Sequence, residues 1–234
     1  MAKMTYAIED RIAVIKLDDG KMNVMNWDFF NELNASLDRA LSDQAAAVIF
    51  TSRPGVFSAG LDLKLLANQT MLEIMVFQRL FADTMLRLYL FPLPTIAAYT
   101  GHSVAGGAIL SFACDRFMAT DGPYKVQINE VANKMLLPTW ITTICRSSIP
   151  HRWWKEVLLH AHIYSPREAY DKGIIDDLAS DGQDVMELAK TYARDLFRLD
   201  ATAYGASKKL LRQKEADDAI AVFEKELVTW LTKK

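Results

Sequence analysis

The chain has 234 residues, 51% hydrophobic and 24% charged, enough for one sizeable core with a small helical appendage. A formal net charge of −2 leaves no global basic field of the kind that nucleic-acid-binding proteins carry. No apolar run reaches the length of a membrane span, because the longest candidate, 71–92, is interrupted by Glu73, Arg79, Asp83 and Arg87.

The N-terminal segment alternates like a strand and carries charges throughout, so it is expected to be part of the fold and not a signal peptide. Thr5–Glu9 and Ile12–Leu17 are expected to be two strands joined by a tight turn at Asp10–Arg11. Phe29, Phe30, Leu33, Leu37 and Leu41 recur at helical spacing over Asn26–Leu41, with Asn26 or Asp28 as the cap. Ala45–Thr51 is a continuous apolar run suited to a strand covered on both faces. Pro54-Gly55 is a turn, Phe57 a core anchor, and Ser58-Ala59-Gly60 a small, freely bending segment. Met71–Leu90 is expected to be a long amphipathic helix whose Met and Phe stripe reads first as core, with the 65–90 region as a candidate pocket wall.

Thr95–Tyr99 follows the Pro92/Pro94 punctuation as another buried strand. Gly101–Asp115 begins with small residues and runs into apolar helix formers, with Gly106-Gly107 at the junction. Arg116–Ala119 and Tyr124–Ile128 read as short strands around an Asp121-Gly122-Pro123 turn. Pro138–Ile149 and His151–His162 are expected to be helical. Ser165, Pro166 and Glu168 have the pattern of a capping box, and Gly173 ends that helix. Three helices finish the chain at about Gln183–Arg198, Ala201–Gln213 and Ala216–Leu231. The Lys208-Lys209 and Lys233-Lys234 pairs read as solvated surface. Cys114 and Cys145 lie in apolar segments without metal-ligand spacing, which points to a reducing compartment. The order of elements is that of a layered α/β domain.

Two glycine-bearing turns, Ser58–Asp62 and Ala105–Ala108, each follow an expected buried strand and leave backbone N–H groups free. Taken alone, either is more often structural than functional. Together they could place two donors on one carbonyl oxygen and so stabilise an enolate or tetrahedral intermediate. None of the four histidines has a catalytic spacing; His160 and His162, two apart, face different sides of a helix. His102 reads as loop packing, Asp62 as a helix cap, and Asp115 as a structural acceptor for backbone amides.

The pair FSAGLDL (Phe57–Leu63) and GHSVAGGAILSFACDRFMA, about forty residues on, resembles the crotonase (enoyl-CoA hydratase/isomerase) superfamily. The likeness continues through YKVQINEVANKMLLP, SPREAYDKG and GIIDDL. The resemblance implies a core of repeated ββα units over residues 1–180 and a C-terminal helical trimerisation region over 181–234. It implies an acyl-CoA thioester as substrate, with coenzyme A entering only as part of it and no cofactor or metal. By motif position the thioester oxygen falls to the backbone N–H groups of Leu61 and Gly106. The residues expected to bind substrate are Val24, Ser58, Ala59, Gly60, Lys64, Ile109 and Asn129, with Lys21 near the segment that meets the adenine and phosphates. A homotrimer or dimer of trimers is expected, with no nucleic acid and no membrane span. A cytoplasmic location is expected, since no transit or peroxisomal signal is visible.

Hydratases of this family carry a glutamate three residues beyond the oxyanion glycine and a second about twenty residues later. Here the first position is Ile109, which cannot transfer a proton, and the second is Glu130. One carboxylate suffices to move a proton from C2 to C4 of a 3-enoyl thioester, so the resemblance is to the Δ3,Δ2-enoyl-CoA isomerase branch. Apolar Ile109, Val131, Leu136 and Leu137 are expected to desolvate Glu130 and raise its pKa. The alternatives are another crotonase-fold enzyme (hydratase, lyase or thioesterase) and a non-catalytic acyl-CoA-binding subunit.

Overall fold

The computed structural model describes residues 2–180 and 184–232. Strands β1 (Met4–Glu9) and β2 (Ile12–Leu17) form a hairpin whose turn residues, Asp10 and Arg11, both take positive φ. Such turns match the twist of the flanking strands. Helix α1 (Trp27–Ser42) is capped by Asn26, whose side chain accepts from the Phe29 N–H. Strands β3 (Ala47–Ser52) and β4 (Gly55–Ser58) lead to the single turn α2 (Leu63–Leu66), capped by Asp62. A capping box between Thr70 and Glu73 starts α3 (Met71–Tyr89). The third unit is β5 (Thr95–Tyr99), β6 (Gly101–Val104) and α4 (Gly106–Ala113). The fourth is β7 (Arg116–Thr120), β8 (Val126–Gln127), a 3-10 turn at Val131–Asn133 and α5 (Thr139–Ser148). Then come α6 (Pro166–Asp171), β9 (Asp177–Ala179), α7 (Val185–Leu196) and α8 (Ala201–Thr232).

The strands divide between two sheets. One runs β1-β2-β3-β5-β7-β9 and is parallel beyond the first hairpin; the other, β4-β6-β8, is wholly parallel. From the second unit on, each ββα repeat therefore gives its first strand to the large sheet and its second to the small one. Period-two alternation sorts the large sheet's side chains. Ile12, Val14, Ala47, Ile49, Ile96, Ala98 and Met118 face Val185, Ala189 and Ala193 of α7. Their neighbours Ala13, Ile15, Val48, Phe50, Ala97 and Tyr99 face the main core, shared with α1, α3, α4 and α5.

Three expectations change. The segment 101–104 is a strand, not a lead-in to the helix, because it pairs with β4 and β8. Residues 151–162 are not one regular helix. A 3-10 turn (His151–Trp153) passes into a π-type turn (Lys155–Leu159). The adjacent indoles Trp153 and Trp154 in it donate to different carbonyls, those of Lys172 and Ile149. The last two expected helices are one. Hydrogen bonds Gln213–Asp217 and Lys214–Asp218 bridge the anticipated break, with buried Lys208 before it and buried Ala216, Ala219, Phe223 and Leu227 after it. Gln183, where the preceding helix was expected to begin, and the Lys233-Lys234 pair lie outside the described residues.

Lys208 is not solvated. It is 6% exposed, and its ammonium lies 2.6 Å from Asp115, which also takes Arg212 at 2.8 Å. Asp115 further accepts from the Thr95 N–H and the Tyr204 hydroxyl, so it ties α8 to β5 as a structural acceptor. Burial pulls the Lys208 pKa down, and the Asp115 charge opposes that shift.

Candidate active site

The small sheet positions the site. Its three parallel strands end at Ser58, Val104 and Gln127, and Leu61, Gly106 and Glu130 follow those ends within a few residues. The carboxyl edge of parallel strands is where ligands commonly bind in open α/β sheets.

The segment 59–62 is held between two others. On one side Ala59 N–H donates to Met22, Met25 N–H to Gly60, and Asp62 N–H to Met25, a one-residue parallel bridge between Met25 and Leu61. That bridge uses the groups flanking Leu61, so the Leu61 N–H points the opposite way. On the other side lies the start of α4. Gly60 has φ +85, and a Cβ there would sit 2.7 Å from the Ala105 Cβ and 3.0 Å from the Gly106 nitrogen. Only glycine meets both conditions. A Cβ on Gly107 would likewise meet the Ser58 carbonyl at 2.6 Å. Ser58, fully buried, donates its hydroxyl to the Asn23 carbonyl and accepts the Gly60 N–H, which locks the turn. Asn23 is itself tied to the carbonyls of Leu17, Val56 and Phe57.

Ala105 takes φ 51 and ψ −123, a costly conformation for an L-residue. It is held by its N–H on the Gln127 carbonyl and by the Ile109 N–H on its own carbonyl. The kink starts α4 directly after β6. The N–H groups of the helix's first turn have no acceptor within the helix and sit at the positive end of its dipole.

Glu130 opens the 3-10 turn after β8 and is 6% exposed. Its Oε2 has no hydrogen-bond partner. Burial raises its pKa, and the backbone N–H groups of Glu130 and Asn129 pull the other way. The buried thiol of Cys145 lies within reach of this charge. Its pKa is pushed up by burial first and by Glu130 second. Glu130 faces a cavity of about 400 Å³. The rest of the wall is Leu61, Leu63 and Leu66; Ile74, Gln78 and Phe81 of α3; and Met135, Leu136, Pro138 and Ile141. Among these residues Glu130 is the one ionisable group. A larger groove of about 540 Å³ lies along α8, but Lys208 and Arg212 there are already paired with Asp115.

A family model described as "Enoyl-CoA hydratase/isomerase" matches residues 7–231. The chain belongs to this family. The crotonase-family chain is 31% identical over 215 residues to the mitochondrial enoyl-CoA delta isomerase 1 of Rattus norvegicus, covering 91% of this chain and 74% of that protein. Its fold matches the crystal structure of human mitochondrial delta3-delta2-enoyl-CoA isomerase with TM-score 0.91 and 27% identity, covering 99% of this chain and 92% of the other. It also matches an enoyl-CoA hydratase of Mycobacterium marinum with TM-score 0.86 and 29% identity, covering 95% and 96%. The repeated ββα units are thus the crotonase fold, and the protein is a crotonase-family acyl-CoA enzyme.

In this crotonase-family chain the structure brings Ser58, Ala59, Gly60, Leu61 and Gly106 together, with half-buried Val24 in the segment alongside them. Lys64 is exposed on α2, and Lys21 is exposed beside Asn23. The Asn129 carbonyl accepts from the backbone and side chain of Asn133, shaping the turn that carries Glu130. Ile109 is fully buried on α4, three residues from Gly106, and is not part of the cavity wall. Of the residues expected to desolvate Glu130, Leu136 lines the cavity. Val131 and Leu137 line a neighbouring groove instead. Met135, Pro138, Ile141 and Phe81 take their place. His102 accepts from the Lys125 N–H and packs on Tyr124. Among the described residues no group of three or more His, Cys, Asp or Glu is placed to hold a metal ion, and no helix is long and apolar enough to cross a membrane.

The expected pocket wall at 65–90 does line the cavity, through Leu66, Ile74, Gln78 and Phe81, but the sequence did not single out Gln78, and it missed Met25. Met25 gave no signal, because its part is a backbone bridge. Gln78 did leave one: it is the polar member of the stripe Ile74, Gln78, Phe81 on α3.

Proposed function

We propose that the protein isomerises 3-enoyl-CoA to 2-enoyl-CoA in fatty-acid metabolism, with Glu130 as its single acid and base. One observation carries the reading: an unpaired, buried carboxylate oxygen on the wall of an otherwise non-ionisable cavity. The thioester oxygen accepts from the N–H groups of Leu61 and Gly106. Glu130 Oε2 takes a proton from C2, and the C–H electrons pass into a dienolate held on that oxygen. Collapse forms the C2–C3 double bond, while the former C3–C4 π electrons take the same proton back at C4. The double bond moves and nothing is consumed, so the only coenzyme required is the CoA of the substrate. Val24, Ser58, Ala59, Gly60, Lys64 and Asn129 shape or flank the thioester end. Ile109 leaves the α4 position without the second carboxylate that would hold a water for hydration.

The hydratase named among its structural neighbours favours a second reading, hydration of 2-enoyl-CoA. Absorbance assays with 3-enoyl-CoA and 2-enoyl-CoA in parallel separate the two. The isomerase reading expects turnover of the first, no hydration of the second, and a fall in kcat of about 10²–10⁴-fold in Glu130→Gln with the fold retained. Isomerisation that survives Glu130→Gln, or hydration by the wild type, would sink it. Stabilisation by acyl-CoA without turnover of either substrate would point to a binding subunit instead. In this reading the protein works as a homotrimer or dimer of trimers, to which exposed Leu210 and Leu211 on α8 could give contact area. Its free, buried Cys114 and Cys145 suit a reducing compartment such as the cytoplasm.

A further inference from the structure

Gln78 is an anomaly in the cavity. It is 7% exposed and lines the wall, and its amide makes no hydrogen bond to the protein among the described residues. Its amide atoms stay open to the cavity, and a hydrocarbon chain that fills it leaves them unpaired at a desolvation cost. An apolar residue of the same size would serve a plain fatty chain better.

We propose that Gln78 reads a neutral oxygen substituent, a hydroxyl, on the acyl chain of the substrate. The inference rests on the proposed placing of the acyl chain in this cavity and names the class of chain. Position supports it. Ile74, Gln78 and Phe81 form one stripe of α3. Phe81 lies at the Gly106 end, since a Cβ on Gly106 would come within 3.5 Å of its ring. Gln78 is one turn further along, about 4.5 Å by helix rise, and Ile74 about 6 Å beyond that. A chain whose thioester is held at Gly106 reaches Gln78 past its reacting carbons. Charge narrows the class. A carboxylate there would share an apolar cavity with Glu130 and raise the cost of both charges. An ammonium would pair with Glu130 and occupy the base. A hydroxyl both donates and accepts, as the amide does.

The test uses calorimetric binding of unreactive octanoyl-CoA and its 5-, 6- and 7-hydroxy derivatives to the full chain. In wild type at least one hydroxy isomer is expected to bind roughly tenfold or more tighter than octanoyl-CoA, as expected where a site built to hydrogen-bond a hydroxyl rejects the analogue without it. In Gln78→Leu that ratio is expected to collapse towards one while octanoyl-CoA binds as well as before or better. Gln78→Met, also checked for thermal unfolding, guards against a packing defect in the leucine variant. Equal binding of all four ligands by wild type would overturn the inference, leaving water as the partner of Gln78. A preference that survives both variants would overturn it as well. If octanoyl-CoA itself does not bind, the placing of the acyl chain has failed and the inference falls with it. If it binds without preference, only the inference falls.

Discussion

Gly60→Ala tests the geometry on which the thioester site depends. The substitution has two separable costs. Its φ of +85 is unfavourable for an L-residue by about 1–2 kcal/mol. The new methyl would also lie 2.7 Å from the Ala105 Cβ, 3.0 Å from the Gly106 nitrogen and 3.2 Å from the Val104 carbonyl. These neighbours are backbone or a Cβ held rigidly to it, so none can swing aside, and overpacking of this kind costs about 1–3 kcal/mol more. Gly55→Ala is the control. Its φ is +99, but nothing lies within 4 Å of the added atom, so only the conformational cost applies. Both variants are to be compared by urea unfolding and by turnover of 3-enoyl-CoA. Gly60→Ala is expected to lose about 2–5 kcal/mol, against about 1–2 for Gly55→Ala. The activities should separate more sharply. Relief of the clash pushes Leu61 away from Gly106, and on the proposed mechanism the loss of one of two oxyanion donors would cost about 10²–10³-fold in kcat. Gly55→Ala should keep wild-type turnover. Equal destabilisation of both variants, with Gly60→Ala as active as wild type, would refute the close approach as a catalytic requirement.

Glu130 must be ionised to act as a base, so kcat/KM should fall tenfold per unit as pH drops through its raised pKa; a rate flat across the acid limb would count against it. Between the ordinary glutamate pKa and that raised value, the folded state keeps a proton that the unfolded state has lost. Glu130 therefore costs stability as pH rises through that window. Glu130→Gln should unfold at a higher temperature than wild type at neutral pH, with the gain vanishing in acid. In the buried cluster under α8, Asp115→Ala leaves Lys208 and Arg212 without their carboxylate and should cost about 3–5 kcal/mol in urea unfolding. Lys208→Met leaves Asp115 paired with Arg212 and should cost clearly less than Asp115→Ala; similar losses in the two variants would contradict this account.

What could be read from the chain was set by short-range physics. The apolar runs of β2, β3 and β5 reflect strands buried on both faces. Asn26, Ser165 and Glu168 mark helix starts through hydrogen bonds that span three residues or fewer. The division into two sheets was not legible, because β4 and β6 are four residues long and glycine-bearing, and their pairing is with each other across more than forty residues. The burial of Lys208 was hidden for the same reason. Its partner Asp115 is 93 positions away, and locally the Lys-Lys pair looks like any solvated surface. The motif positions Leu61, Gly106 and Glu130 were named from a family pattern; the physics that could make them a site, a strained Ala105 and a glycine contact, appears only in three dimensions.

The small sheet explains why one fold can host different chemistries at this edge. Each repeat delivers one part of the site just beyond one of its parallel strands: a free N–H after β4, a helix start after β6, a carboxylate after β8. The first two parts are backbone, and their placement is fixed by Gly60, Ala105 and Gly107, so side-chain changes nearby leave them intact. The variable parts are side chains on rigid supports: position 109 on α4, position 130 on the 3-10 turn, and position 78 on α3. Polarity at one of these positions can change the number of proton-transfer groups or the chain accepted without moving the donors. Here position 109 is apolar, position 130 is acidic and position 78 is an unpaired amide. On the proposed reading that combination sets one base against one reader of the chain, so the substitutions that test it are at Glu130 and Gln78 rather than in the glycine turns.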